Sequence, residues 1–303
     1  MTIGIAIVGL GRIGFESFEN ISVENKIDSH TFAVLSHPGC HLAAGIDPDP
    51  LKRSRFEQVT NTATFNSIAD IAPSILKQID AFIVATPTIV QFEVLSKLGS
   101  LEKDFWIMCE KSMCSNLEEI VSLKSFVDVD RIIVNYSRRF SSDIGKCKPI
   151  FNMFIEETKA PIRLNFFGGM LRTASHFIDL ANYWFLEQDS MITPDMISKT
   201  IDGYSIRYPS ATIELVSVDP YCDESFAEFF LETNDTRISL VRDTFTQVTN
   251  SGTSSTKIMV SQEATIGALV ELIESNGNNN QCSYFDALKV HRAVSLMPEL
   301  QIN

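Results

Sequence analysis

The stretch from Ile3 to Gly14 constrains this chain more than any other. An apolar, β-branched run, Ile3 to Val8, leads directly into G-x-G-x-x-G at Gly9, Gly11 and Gly14. Such a run suits a parallel strand buried on both faces. In this pattern the first glycine makes a tight turn, the second lets backbone approach a pyrophosphate, and the third lets a helix pack close to its strand. A helix beginning after Gly14 would turn its free N–H groups toward the phosphates. Glycine-rich turns also recur for purely structural reasons, and context separates the two readings. Here a second apolar run, Cys40 to Ile46, ends in Asp47. The expectation is a dinucleotide site built from Gly9, Gly11, Arg12, Ile13, Gly14 and Asp47.

Asp47 comes later than the usual interval of roughly 20 residues after the glycines. The excess predicts an insertion between about 17 and 29, either a lid at the mouth of the site or an idle surface loop. A carboxylate at Asp47 accepts ribose hydroxyls and repels a 2′-phosphate, which favours NAD. Lys52, Arg53 and Arg55 follow closely. They would serve NADP, or form a solvated first helical turn.

The rhythm continues with a buried strand over Ala81 to Pro87 that ends in a turn, with strands over Phe105 to Lys111 and Arg131 to Tyr136, and with helices over Ile89 to Leu98 and Leu117 to Phe126. Strands alternating with helices predict a doubly wound parallel sheet over 1–140, with ligands beyond the carboxyl ends of its strands. Asp47, Thr86, Pro87, Glu110, Lys111 and Tyr136 fall at such ends. Beyond 140 the pattern changes. Helices are expected over Phe154 to Thr158 and Ala174 to Phe185. Strands are expected over Pro161 to Phe167, Ser205 to Tyr208, Thr212 to Val218, Phe226 to Thr233, Arg237 to Arg242 and Thr256 to Val260. This describes an α+β domain over 141–283 with an open, mostly antiparallel sheet.

Bulk properties limit the partners. A net charge of -13 makes nucleic acid and anionic membrane poor partners, yet leaves room for a small anionic substrate in a local basic pocket. Cys40, Cys109, Cys114, Cys147, Cys222 and Cys282 form no C-x-x-C and none has a His at zinc-finger spacing. They read as reduced thiols, and no metal site is expected. The N-terminal apolar run lacks a basic flank and no run reaches transmembrane length, so a cytoplasmic protein is expected.

Several residues could carry chemistry. Lys111 ends a buried strand, where partial desolvation lowers an ammonium pKa toward a useful range. Glu110 would hold it; the alternative is an ordinary surface Glu–Lys pair. His176 and Asp179 share a helix face with Arg172 one turn earlier, which makes either a pocket wall or a satisfied core histidine. Of Arg138 and Arg139, at most one faces the site, where a guanidinium could hold a carboxylate or phosphate.

Together these segments resemble the glucose–fructose oxidoreductase / inositol dehydrogenase / MocA family. The likeness rests on Gly9 to Gly14, Asp47, Ala85-Thr86-Pro87-Thr88, Glu110-Lys111-Ser112, Asn135 to Phe140, Gly168-Gly169 with His176 and Asp179, and Asp286-Ala287-Leu288. It implies an NAD(P)-dependent oxidoreductase acting on a sugar, sugar acid or nucleotide sugar. It further implies a terminal helix, 284–303, that returns to the Rossmann domain, and a homodimer or homotetramer built on the second domain's sheet. By the resemblance Lys111 contacts the reacting oxygen and nicotinamide end, His176 is the acid/base, and Asp179 lines the substrate pocket; Tyr136, at a strand's carboxyl end, is a further substrate-binding candidate. Three departures stand out. Ser112 replaces the usual proline, so a tight, often cis, turn is not enforced. Gln91 replaces a histidine. Arg172 replaces an Asp that binds a substrate hydroxyl, which points to an anionic substrate or altered machinery. The rival expectation is a sensor or regulator that binds dinucleotide and has lost the reaction.

Overall fold

The computed structural model describes residues 2–15, 29–219, 226–278 and 280–300. The expected insertion, apart from Ser29, and Cys222 lie outside them. The chain divides into two compact units, Met1–Phe140 with Ser261–Tyr284 and Ser141–Val260 with Phe285–Asn303.

In chain order the first unit contains β1 (Ile3–Val8), α1 (His30–Ser36), β2 (Cys40–Ile46), α2 (Pro50–Thr60), β3 (Thr64–Phe65), α3 (Pro73–Leu76), β4 (Ala81–Val84), α4 (Thr88–Gly99), β5 (Trp106–Glu110), α5 (Leu117–Leu123) and β6 (Ile132–Asn135). The six strands form one parallel sheet, ordered β3-β2-β1-β4-β5-β6. Direction of travel reverses between β1 and β4, the switch point at which such sheets bind ligands. The strands are legible because both faces are covered: Ile5, Ile7, Ile83, Met108 and Ile133 are buried on one face, and the alternate residues Ala6, Phe82, Ile107 and Ile132 are buried on the other. Each such side chain contributes roughly 1.5–3 kcal/mol by leaving water. Local signals set the helix ends. Asp49 caps α2 by accepting from Leu51 N, Pro50 opens the helix, and Asn61 closes it at φ 53°.

The helix expected after Gly14 falls on residues outside those described. Phe15 N donates to Gly11 O in a turn, and α1 starts at His30, capped by Ser29.

The second unit contains α6 (Ser142–Thr158), β7 (Ile162–Phe167), a π-helical turn at Met170–Ala174, α7 (Ser175–Phe185), β8 (Ile197–Lys199), β9 (Gly203–Arg207), β10 (Thr212–Asp219), β11 (Phe226–Glu232), β12 (Thr236–Val241), β13 (Thr244–Thr249) and β14 (Gly252–Lys257). Its eight strands run β14-β13-β12-β11-β7-β10-β9-β8, antiparallel except for the β7–β10 pair. Helix α6 is three turns longer than expected and runs through Pro149. Strands β8 and β13 are additional to the expectation, and β14 ends at Lys257, near where a strand was expected to begin. The core is aromatic. The Phe229 ring lies 5.6 Å from Phe177, 5.4 Å from Phe151 and 6.1 Å from Trp184.

The chain then returns to the first unit as α8 (Gln262–Glu274), and leaves it within α9 (Tyr284–Ser295). This differs from the expected division, in which 284–303 was the returning segment. The physical reason is apolar burial. Ile266, Leu269, Val270 and Leu272 of α8 join the core cluster of Ala33 and Val34. Of the terminal segment only Tyr284 belongs with that unit, its hydroxyl donating to Ile120 O at 2.7 Å. Beyond it, Lys289 Nζ donates to Gln188 O at 2.5 Å and Arg292 Nε to Ile192 O at 2.8 Å, both in the second unit.

Candidate active site

The glycine turn is closed by sterics. Gly9 has φ +96°, and a Cβ there would lie 2.8 Å from Ala85 O. A Cβ on Gly14 would overlap the carbonyl oxygen of Gly9. At Gly11 there is room, and Lys52 Nζ would stand 3.7 Å from an added Cβ. The Asp47 carboxylate sits at the end of β2, largely buried. Its oxygens accept from Leu10 N at 2.8 Å and Asp49 N at 2.9 Å. Carboxylate oxygens have lone pairs beyond these two bonds. Arg53 folds back instead, donating to Asp47 O and Pro48 O. A turn bare of side chains beside such a carboxylate fits the pyrophosphate and adenosine ribose of a dinucleotide. Arg12 is exposed there and Ile13 half-buried.

Along the sheet, Lys111 directly follows β5 and is half-buried. Its neighbour Glu110 is heavily anchored. Glu110 Oε1 lies 2.7 Å from His30 Nε2 and accepts from Asn135 Nδ2 at 2.7 Å. Gln91, fully buried, donates from Nε2 to Thr86 O and Glu110 O, each at 3.1 Å. It thus ties the ends of β4 and β5 together. Asn135 is held in turn, donating to Gln262 Oε1 at 2.9 Å and accepting from Thr265 Oγ1 at 3.2 Å. The Lys111–Ser112 peptide is cis although Ser112 is not proline, and Met113 follows at φ 73°. Cys109 and Cys114 flank this turn as buried thiols, both pushed upward chiefly by burial. They offer no ready thiolate.

The other candidates of the first unit differ in exposure. Tyr136 is buried, Thr86 is half-buried and Pro87 is exposed. Arg139 is buried and Nη1 donates to Gln281 O at 3.5 Å, whereas Arg138 is half-buried. Of the pair, Arg138 is therefore the better placed to meet a ligand.

In the second unit the π-helical turn runs straight into α7 and carries Arg172, which is exposed. Turns of this kind occur often at functional sites. Every residue of α7 except His176 and Tyr183 is buried. His176 is half-buried. Asp179 is almost fully buried, and its charge adds to burial in pushing the Tyr208 phenol above its ordinary value. The Tyr208 hydroxyl donates to Asn182 Oδ1 at 2.8 Å.

Sequence reasoning did not single out His30 or Gln262, and it noted Gln91 only as a departure. Nothing local marks His30: its partner is 80 positions away. Among the described residues no group of His, Cys, Asp and Glu could hold a metal ion, and no helix is long and apolar enough to cross a membrane.

Residues 3–134 match the GFO_IDH_MocA family model, described as "Oxidoreductase family, NAD-binding Rossmann fold". A comparison with curated proteins found no match. Solved structures align over nearly the whole chain. A 3-ketoreductase, KijD10, from Actinomadura kijaniata, in complex with NADP and TDP-benzene, is 12% identical with a TM-score of 0.70, covering 99% of this chain and 98% of that one. An oxidoreductase from Agrobacterium radiobacter, in complex with NAD+, L-tartaric acid and magnesium, is 14% identical with a TM-score of 0.67, covering 100% and 97%. A putative myo-inositol dehydrogenase from Sinorhizobium meliloti is 16% identical with a TM-score of 0.63, covering 100% of both. Likeness at this level of identity establishes a shared fold.

Proposed function

We propose that this chain, whose residues 3–134 match the Gfo/Idh/MocA family model, is an NAD(P)-dependent oxidoreductase that interconverts a hydroxyl and a carbonyl on a sugar, sugar acid or nucleotide sugar. The observation that carries the reading is the placement of Lys111. It follows the carboxyl end of β5, in the same parallel sheet whose first strand ends in the bare glycine turn. Gly9, Gly11 and Gly14 would hold the pyrophosphate, with Arg12 and Ile13 in the same turn. Asp47 would hold the adenosine ribose, and Thr86, Pro87 and Glu110 would line the nicotinamide end. When bound, the nicotinamide ring supplies the hydride acceptor in oxidation and the donor in reduction.

The chain's own residues handle the proton and the substrate. In oxidation, Lys111 orients the substrate hydroxyl and takes its proton as the carbon–hydrogen bond breaks. His176 serves as the second proton-transfer group, as its place in the family pattern implies. An imidazole exchanges one proton near neutral pH, and an amine can do so once its surroundings lower its pKa. Tyr136 and Asp179 are the further candidates for substrate binding, and each is buried in its own unit. Arg172 and Arg138 supply guanidinium groups for a carboxylate or phosphate on the substrate, the bidentate partner such groups suit. Two neighbours are named with acidic or phosphorylated ligands, L-tartaric acid and TDP-benzene, which accords with this choice.

The test is a titration of the full chain with NAD+, NADH, NADP+ and NADPH, followed by sugar acids, nucleotide sugars and neutral cyclitols added with the oxidised cofactors, and their keto forms with the reduced ones, while nicotinamide absorbance is followed. An absorbance change with one acidic sugar supports the reading. Tight dinucleotide binding with silence across the panel would leave a binding protein rather than an enzyme.

A further inference from the structure

His30 joins two parts of the first unit that the proposed reaction uses separately. Its main chain is fixed to the glycine turn: His30 N donates to Ile13 O at 2.9 Å, and the next residue, Thr31, donates to Gly14 O from both N, at 3.1 Å, and Oγ1, at 2.6 Å. Its ring is fully buried and reaches the residue before Lys111, with Nε2 2.7 Å from Glu110 Oε1. A carboxylate oxygen accepts, and the tautomer with its hydrogen on Nε2 supplies the donor for it. The bond is charge-assisted, and the Glu110 side chain is only 15% exposed, so water cannot easily replace it. Asn135 shares the same oxygen, and Gln91 holds the Glu110 carbonyl. The stem from which Lys111 projects is thus fixed from three directions, and only the His30 link leads to the turn.

The geometry points to His30 as a positioning residue for Lys111, one that sets the lysine's placement by reference to the glycine turn. This rests on the reading of Lys111 as the residue that handles the substrate proton. A bland alternative is a ring that fills buried space. The two differ in what a substitute must provide. Space-filling asks for volume, and positioning asks for an N–H donor at the Nε2 place. Glutamine offers one at about that reach, while asparagine is polar but too short.

The experiment reads the lysine directly and needs no substrate. The full chain, without dinucleotide, is treated with trinitrobenzenesulfonate, and labelling of each lysine is followed by peptide mass spectrometry. Lys97, Lys146 and Lys199, all largely exposed, serve as internal references. In His30→Asn, Lys111 is expected to label several-fold differently from the parent while the references do not change. His30→Gln should return Lys111 to the parental rate. In a Glu110→Gln background, His30→Asn should add nothing, because the link is already cut. Parental labelling in His30→Asn, or the same altered rate in both His30 variants, would overturn the inference. A separate arm tests the reading beneath it: saturating NADH should slow Lys111 labelling in the parent. Absence of that protection would overturn the functional reading itself, and with it any positioning role, whatever the variants do.

Discussion

Lys111 and His176 are both proposed to handle protons, yet the molecule fixes them by opposite means. The stem of Lys111 hangs on directed polar bonds to Glu110 from His30, Asn135 and Gln91. His176 rides on a helix held by bulk. Its neighbours on α7 are buried, with Phe177 and Trp184 against Phe229. Directed bonds fail when one atom is lost, because a buried acceptor left without its donor costs about 1–3 kcal/mol. Packing spreads its contribution over many weak contacts and tolerates changes that keep volume. The first arrangement fixes a position, and the second fixes a surface.

The sharpest test is to remove the reacting groups themselves. Lys111→Met should lower turnover roughly 10²–10⁴-fold, the usual range for a lost proton-transfer group, while NADH still binds. Fluorescence titration beside steady-state kinetics would separate the two, and undiminished turnover would reject the mechanism. His176→Ala should show a loss within the same range, checked in the same assay. Next comes the bed of α7. Phe229→Ala should cost about 3–5 kcal/mol in denaturant unfolding, whereas Phe229→Leu should cost clearly less. Equal losses would mean that α7 depends on one specific contact after all. Smaller still, Arg172→Ala should raise KM for an acidic substrate by roughly 10- to 100-fold, the worth of a charge-assisted bond, and leave a neutral cyclitol's KM alone. The smallest effect belongs to Tyr208→Phe, which strips Asn182 Oδ1 of its donor. A loss of about 1–2 kcal/mol in unfolding free energy is expected.

The same contrast explains what could be read from the chain alone. The parallel sheet was legible because burial on both faces demands unbroken apolar runs, and Ala81 to Val84 or Ile132 to Val134 can hardly be anything else. The antiparallel sheet was less so. Strand β14 is Gly-Thr-Ser-Ser-Thr-Lys and fully exposed, so no hydrophobic alternation marks it. The polar face of β13 hides it in the same way. Of the site, Gly9, Asp47 and Lys111 carry local signals, since each sits where an apolar run stops. His30 and Gln262 do not, because their meaning lies in partners far along the chain. Gln91 was visible as a substitution, but its work as a strut between β4 and β5 was not.

The threading of the chain has a consequence for its birth. The first unit opens the sequence yet is not finished until α8, which covers the face that includes Ala33 and Val34, has been made. A ribosome must therefore deliver the whole of Ser141–Val260 before the N-terminal sheet can close its core. Domains ordinarily fold in the order of synthesis. Here the later domain's strands are all made before the earlier domain receives α8, and until then the earlier one waits with an apolar face uncovered, the state in which a nascent chain most needs a chaperone's attention.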